Sequence, residues 1–113
     1  MPSLCVIQGH CYAGGLIFAM CHDFRVMREQ SGRLCLSEIN VGLPLPRAYD
    51  MVCSSLMPRQ IYREMAMGRA LTTTEALSRN VITAVFKTPK ELDEIAKQFE
   101  QHFPVVDRAI VQN

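Results

Sequence analysis

The residues with chemistry to offer fall in two short stretches. In the first, Gly9, Ala13, Gly14 and Gly15 separate an apolar run at residues 4–8 (LCVIQ) from another at residues 16–21 (LIFAMC). Glycine lets a backbone turn sharply or approach a ligand closely, and a helix beginning just after the Gly14-Gly15 pair aims unpaired N–H groups into the turn. Such a turn can cradle an anion or a developing oxyanion. The plain alternative is a tight strand-to-helix connection whose glycines serve packing alone. In the second stretch, Ser37-Glu38-Ile39-Asn40, a carboxylate stands among apolar neighbours just ahead of the loop Val41-Gly42-Leu43-Pro44-Leu45-Pro46. Its ordinary structural role would be to accept N–H groups at the start of the next helix.

Familiar glycine loops do not fit the first stretch. A phosphate-binding loop needs Lys and then Ser or Thr after its second glycine, where this chain has Gly15 and Leu16. The dinucleotide fingerprint requires G-x-G-x-x-G, a spacing that Gly9, Gly14 and Gly15 do not supply. Cys21-His22-Asp23 are metal-ligand types, but neighbours at a helix end diverge, so no metal site is expected. Ser54-Ser55 lack the frame of a serine nucleophile, and His10, His22 and His102 are isolated in sequence.

The whole chain narrows the function classes further. At 113 residues there is room for one small domain, and 49% hydrophobic against 20% charged residues marks a core-rich globular chain. An apolar excess in so short a chain hints at a partner surface. A formal charge of +1, with no run of Lys or Arg, gives no footprint for nucleic acid or an anionic membrane. The longest apolar run falls well short of the ~20 residues of a membrane span, and no secretory pattern is visible, so the chain reads as soluble and unsecreted. Five cysteines without a C-x-x-C pair read as reduced thiols, and the seven methionines as packing residues.

The elements that must position the two stretches follow from local pattern. Residues 4–8 predict a buried strand, and residues 16–21, apolar on every face, a helix buried all round. Residues 23–27 alternate like a half-buried strand, residues 28–33 form a polar turn, and residues 34–36 a second short strand. Helices are predicted over residues 46–56 and 58–67, the latter with Ile61 and Met65 on one face and Gly68 as its stop. Thr72 and Glu75 form a capping box opening a short helix that Asn80 closes in a left-handed conformation. Residues 81–86 (VITAVF) predict a strand. Thr88 and Glu91 repeat the capping logic ahead of a helix with Leu92, Ile95, Ala96, Phe99 and Phe103 on one face.

Taken in order, Gly9, the Ala13-Gly14-Gly15 run, Asp23, Ser37-Glu38, Val41-Gly42-Leu43-Pro44, Gly68-Arg69-Ala70-Leu71-Thr72, Glu75-Ala76-Leu77 and Val81 make the chain similar to the crotonase (enoyl-CoA hydratase/isomerase) superfamily. The resemblance implies an α/β chain forming the C-terminal part of a β-β-α superhelix, short strands with flanking helices. Residues 1–113 would be one partial domain, with residues 4–86 its core part and residues 88–103 a C-terminal helix. It also implies an acyl-CoA thioester as substrate rather than cofactor, no cofactor or metal, and self-association as a homotrimer or higher. The compartment implied is a peroxisome or mitochondrion, with the cytoplasm as alternative.

Site roles follow from the same resemblance. Gly14 falls on a position whose N–H holds the thioester oxygen, and Glu38 on the second of two glutamates that flank the double bond in hydratases; Ile17 stands where the first would be. Ala13, Gly15, Ile17, Gly42, Leu43 and Pro44 would contact substrate. A single carboxylate cannot easily position and activate water, but a glutamate in an apolar site, its pKa tending upward, can carry a proton between C2 and C4. The wording SEINVGLPLP resembles the delta isomerase branch, which makes a delta(3)-delta(2) enoyl-CoA isomerase of fatty-acid β-oxidation the leading expectation. Family members carry more chain ahead of the matching stretch, so a truncated chain, an inactive remnant with an interaction role and a hydratase are the alternatives.

Overall fold

The computed structural model describes residues 2–36, 46–102 and 107–111, the last of these as backbone only. Its first part is two successive β-β-α units. Strand β1 (Ser3–Ile7) and strand β2 (Cys11–Tyr12) lead into helix α1 (Gly14–Met20); strand β3 (Phe24–Arg28) and strand β4 (Arg33–Cys35) precede helix α2 (Arg47–Leu56). The first strand of each unit pairs in one sheet and the second in another: β1 lies parallel to β3 in register Leu4↔Phe24 to Ile7↔Met27, and β2 parallel to β4 with Cys11↔Leu34. Both sheets therefore advance by one strand per unit, as a superhelix requires.

Helix α3 (Arg59–Ala66), the two-residue strand β5 (Leu71–Thr72), helix α4 (Thr73–Ser78), strand β6 (Ala84–Phe86), helix α5 (Pro89–His102) and strand β7 (Asp107–Val111) complete the chain. The larger sheet has the order β6-β3-β1-β7, all parallel, and the smaller the order β2-β4-β5, with β5 antiparallel to β4. Side-chain alternation along β1 and β3 divides the core in two. Cys5, Ile7 and Met27 join α1, α2 and α3 in the main cluster, whereas Leu4, Val6 and Val26 face α5, where Leu92, Ile95 and Phe99 cover them. Phe24 and Phe99 meet edge to face, with ring centroids 4.9 Å apart.

Several local predictions hold in detail. The Thr72 hydroxyl accepts the Glu75 N–H at 3.2 Å while the Glu75 carboxylate reaches back to the Thr72 N–H, a complete capping box. Gly68 stops α3 with φ 103° and Asn80 follows α4 with φ 64°. Others are corrected. The Thr88 hydroxyl accepts the Glu91 N–H at 3.2 Å, but Glu91 binds the Lys87 N–H instead of closing the box on Thr88. Helix α1 is not buried all round, because Phe18 is 49% exposed and Cys21 just beyond it is exposed. Of residues 81–86 only Ala84–Phe86 is strand; Val81 and Ile82 are buried in a bend. Strands β2, β5 and β7 have no signal in the sequence pattern, since two-residue strands leave no periodicity and β7 rests on its pairing with β1.

Arg25 shows how a charged residue is accommodated on β3. Its guanidinium donates to the Val81 carbonyl and to the His22 carbonyl, both at 2.7 Å, which ties the start of β3 to the bend before β6. Burial pushes its pKa down, and the nearby Cys5 and Asp23 oppose that shift.

Four of the five thiols are buried, consistent with cysteines used as small hydrophobes. Burial pushes the Cys5 thiol up to about 11, against the lowering influence of Arg25, and the Cys11 thiol up to about 12, with Cys5 adding to the rise. Both raised values mean that the folded state holds protons the unfolded chain releases. Their stabilising contribution is complete below about pH 9 and is lost as pH climbs toward 11 to 12. Chemical denaturation at pH 8 and at pH 10 should show stability falling by about 2 kcal/mol, and a Cys5→Ala, Cys11→Ala double variant should show a much flatter dependence. Equal stability of the native chain at both pH values would contradict this reading.

Candidate functional site

The first chemistry-bearing stretch is built on an unusual backbone. Ala13, the residue before α1, has φ 49° and ψ −117°, a conformation a side chain makes costly by about 1–2 kcal/mol. Sequence reasoning would place that burden on a glycine, yet Gly14 and Gly15 are the first helical residues and Ala13 carries the positive φ. The strain is held by two bonds. The Ala13 N–H donates to the Cys35 carbonyl at 2.9 Å, pinning the turn to the end of β4, and the Ala13 carbonyl accepts the Ile17 N–H at 3.1 Å, opening the helix.

Gly14 follows at the first position of α1. Its N–H is among the early helical donors that have no intrahelical acceptor. The residue is exposed, and Ala13 and Gly15 beside it are partly so. No side-chain cap closes this helix start. A Cβ on Gly14 would come within 3.3 Å of the Tyr49 hydroxyl, so α2 stands directly over the turn and a larger residue at 14 would press on it. Tyr49 is a neighbour that sequence reasoning missed; its place in a helical run carries no hint of the contact. On α2, Asp50 is bonded by the Tyr62 hydroxyl of α3, which fixes one helix against the other.

Ile17 is 8% exposed and belongs to the main core cluster. An aliphatic side chain there can shape an apolar wall and cannot exchange protons. Glu38, Gly42, Leu43 and Pro44 lie outside the described residues, so the structure brings together Ala13, Gly14, Gly15 and Ile17 of the expected site. Leu36, the last described residue before that segment, is buried and follows the carbonyl that anchors Ala13.

Among the described residues no group of three or more His, Cys, Asp or Glu could hold a metal ion, and no helix is long and apolar enough to cross a membrane. An apolar cavity of about 250 Å³ between α5 and the outer face of the larger sheet is walled by Leu4, Phe24, Val26, Ile95 and Phe99. It lies across the sheet from the cluster that contains α1, and so it is not part of the Gly14 site.

Residues 1–111 match the family model described as enoyl-CoA hydratase/isomerase. Enoyl-CoA delta isomerase 3 of Arabidopsis thaliana is 32% identical over 84 residues, covering 73% of this chain and 35% of the relative. The peroxisomal enoyl-CoA delta isomerase 1 of the same plant is 41% identical over 98 residues, covering 85% of this chain and 41% of the relative. This chain thus spans between about a third and two fifths of the length of these curated relatives.

Solved structures agree on the fold. An enoyl-CoA hydratase/isomerase from Mycobacterium abscessus superposes with a TM-score of 0.74 at 26% identity, over 89% of this chain and 42% of that one. An enoyl-CoA hydratase from Thermobifida fusca, solved with acetoacetyl-CoA, superposes with a TM-score of 0.76 at 19% identity, over 93% of this chain and 41% of that one. At that identity the second likeness speaks for the crotonase fold alone. The two β-β-α units, the strained turn before α1 and the match over residues 1–111 lead to one conclusion: the chain belongs to the enoyl-CoA hydratase/isomerase family.

Proposed function

We propose that this chain acts on acyl-CoA thioesters as a delta(3)-delta(2) enoyl-CoA isomerase, with Glu38 as the single proton carrier and the Gly14 N–H as an oxyanion donor. The observation that carries the reading is the Ala13–Gly14 turn. A strained, anchored backbone at an exposed helix start offers N–H groups already oriented for an enolate oxygen. One such donor accounts for about 3 kcal/mol of barrier lowering.

In the proposed step the Glu38 carboxylate removes a proton from C2 of a 3-enoyl thioester. The electron pair moves onto the carbonyl oxygen as a dienolate, held by the Gly14 N–H. Collapse of the dienolate returns the proton from Glu38 to C4 and leaves the double bond between C2 and C3. No water enters and no atom is lost. Ile17 argues against a hydratase, which would need a second carboxylate on that wall.

Self-association as a trimer or higher assembly is part of the proposal, supported by exposed Phe18, Met51, Leu56 and Met67. A peroxisomal setting is proposed from the names of the plant relatives. A second reading, a chain that binds without turnover, draws on the modest share of each relative that this chain spans. Purified chain should convert 3-enoyl-CoA to 2-enoyl-CoA and elute as an oligomer. Acyl-CoA binding in calorimetry without conversion would favour the second reading, and no binding would remove both.

A further inference from the structure

A second pocket lies at the other end of β2 from Gly14. Its volume is about 300 Å³, and its walls include His10, Gln30, Gly32, Arg33 and Thr74. Two turns are pressed together beside it: a Cβ on Gly32 would fall 2.7 Å from the His10 nitrogen and 2.9 Å from the Gly9 carbonyl carbon. Gln30, two residues earlier, bends the chain there with φ 54°.

The hydrogen bonding around it sets the chemistry. The Arg33 backbone N–H donates to His10 Nδ1 at 3.1 Å, so Nδ1 must be the acceptor and the neutral ring carries its proton on Nε2. The ring leans on Tyr12, with centroids 5.1 Å apart, which fixes its orientation. Among the described residues the Arg33 side chain makes no ion pair, and the Thr74 hydroxyl makes no hydrogen bond. No carboxylate lines the pocket. Of the acidic residues closest in sequence, Glu29 pairs with Lys87, and Glu75 pairs with Arg69 and accepts from the N–H and hydroxyl of Thr72, itself a wall residue.

We infer that this pocket is an anion site for a phosphate group, bound by the Arg33 guanidinium, the His10 Nε2–H and the Thr74 hydroxyl. A guanidinium, an imidazole N–H and a hydroxyl are the donors a phosphate recruits, the nearby Glu75 carboxylate is already held by Arg69 and Thr72, and a close backbone contact keeps the two turns in place. A free phosphate and a phosphate monoester present the same oxygens, so both are candidate occupants.

The test is a titration of the full chain with inorganic phosphate and separately with adenosine monophosphate, followed by the His10 ring signals in NMR. Saturable shifts with Kd of about 1 mM are expected for at least one of them. Arg33→Met should weaken binding by about tenfold or more, and Thr74→Val by a smaller factor, with both variants retaining the native melting temperature. Tighter binding of the nucleotide would assign the site to a monoester, and equal binding to free phosphate. The inference is overturned if neither ligand shifts His10, if acetate shifts it equally, or if Arg33→Met binds as the native chain does.

Discussion

Glu38→Gln should lower isomerase turnover by about a thousandfold while leaving acyl-CoA binding nearly unchanged. Glutamine keeps the shape and hydrogen-bonding capacity of the side chain but cannot accept a proton, and a positioned general acid-base group is worth about 10²–10⁴ in rate. A thousandfold loss corresponds to about 4 kcal/mol of barrier. Because the Gly14 N–H would still hold the thioester oxygen, the loss should appear in kcat and not in KM. Glu38→Asp should recover part of the rate, since the carboxylate is retained at a shorter reach. The measurement is chromatographic conversion of a 3-enoyl-CoA under saturating substrate, with calorimetry for binding. Full turnover by Glu38→Gln would take Glu38 out of the mechanism.

Gly32→Ala should destabilise the fold strongly. The added Cβ would meet backbone atoms of His10 and Gly9 at 2.7–2.9 Å, and neither can move aside without displacing the turn between β1 and β2. Overpacking costs about 1–3 kcal/mol, and against fixed backbone the upper end applies, which for a small domain lowers the melting temperature by about 15 °C. Gly14→Ala is the matched control. There the nearest atom is the Tyr49 hydroxyl at 3.3 Å, the far end of a side chain on α2, so the cost should be under about 1 kcal/mol. Thermal unfolding of the two variants side by side decides the matter. Equal melting temperatures would mean that the contact between the two turns is looser than the structure shows.

Local signals were legible where a residue type answers a local need, as with the Thr72–Glu75 capping box, the stop at Gly68 and the left-handed Asn80. Strand β1 and the helices α2 and α3 were legible from apolar pattern and proline placement. What pattern could not carry is contact at a distance. Gly32 is small because of Gly9 and His10, Ala13 is strained because Cys35 holds it, and β7 exists by pairing with β1. Each of those facts belongs to two parts of the chain at once, and a single segment cannot announce it.

Of the candidate site, the glycine turn was recognisable, but the distribution of labour within it was not. The pair Gly14-Gly15 suggested that glycine would take the unusual backbone, whereas the structure assigns it to Ala13 and uses Gly14 for clearance beneath Tyr49. Glu38, Gly42, Leu43 and Pro44 were proposed on resemblance and lie outside the described residues.

The most direct test of the mechanism is product analysis after incubating the chain with a 3-enoyl-CoA in deuterated water. A single carboxylate that moves a proton between two carbons predicts a 2-enoyl-CoA, unhydrated, with deuterium entering only to the extent that the Glu38 proton exchanges before it is returned. Accumulation of a 3-hydroxyacyl-CoA as the primary product would show that water is activated and added, and would contradict the one-carboxylate account.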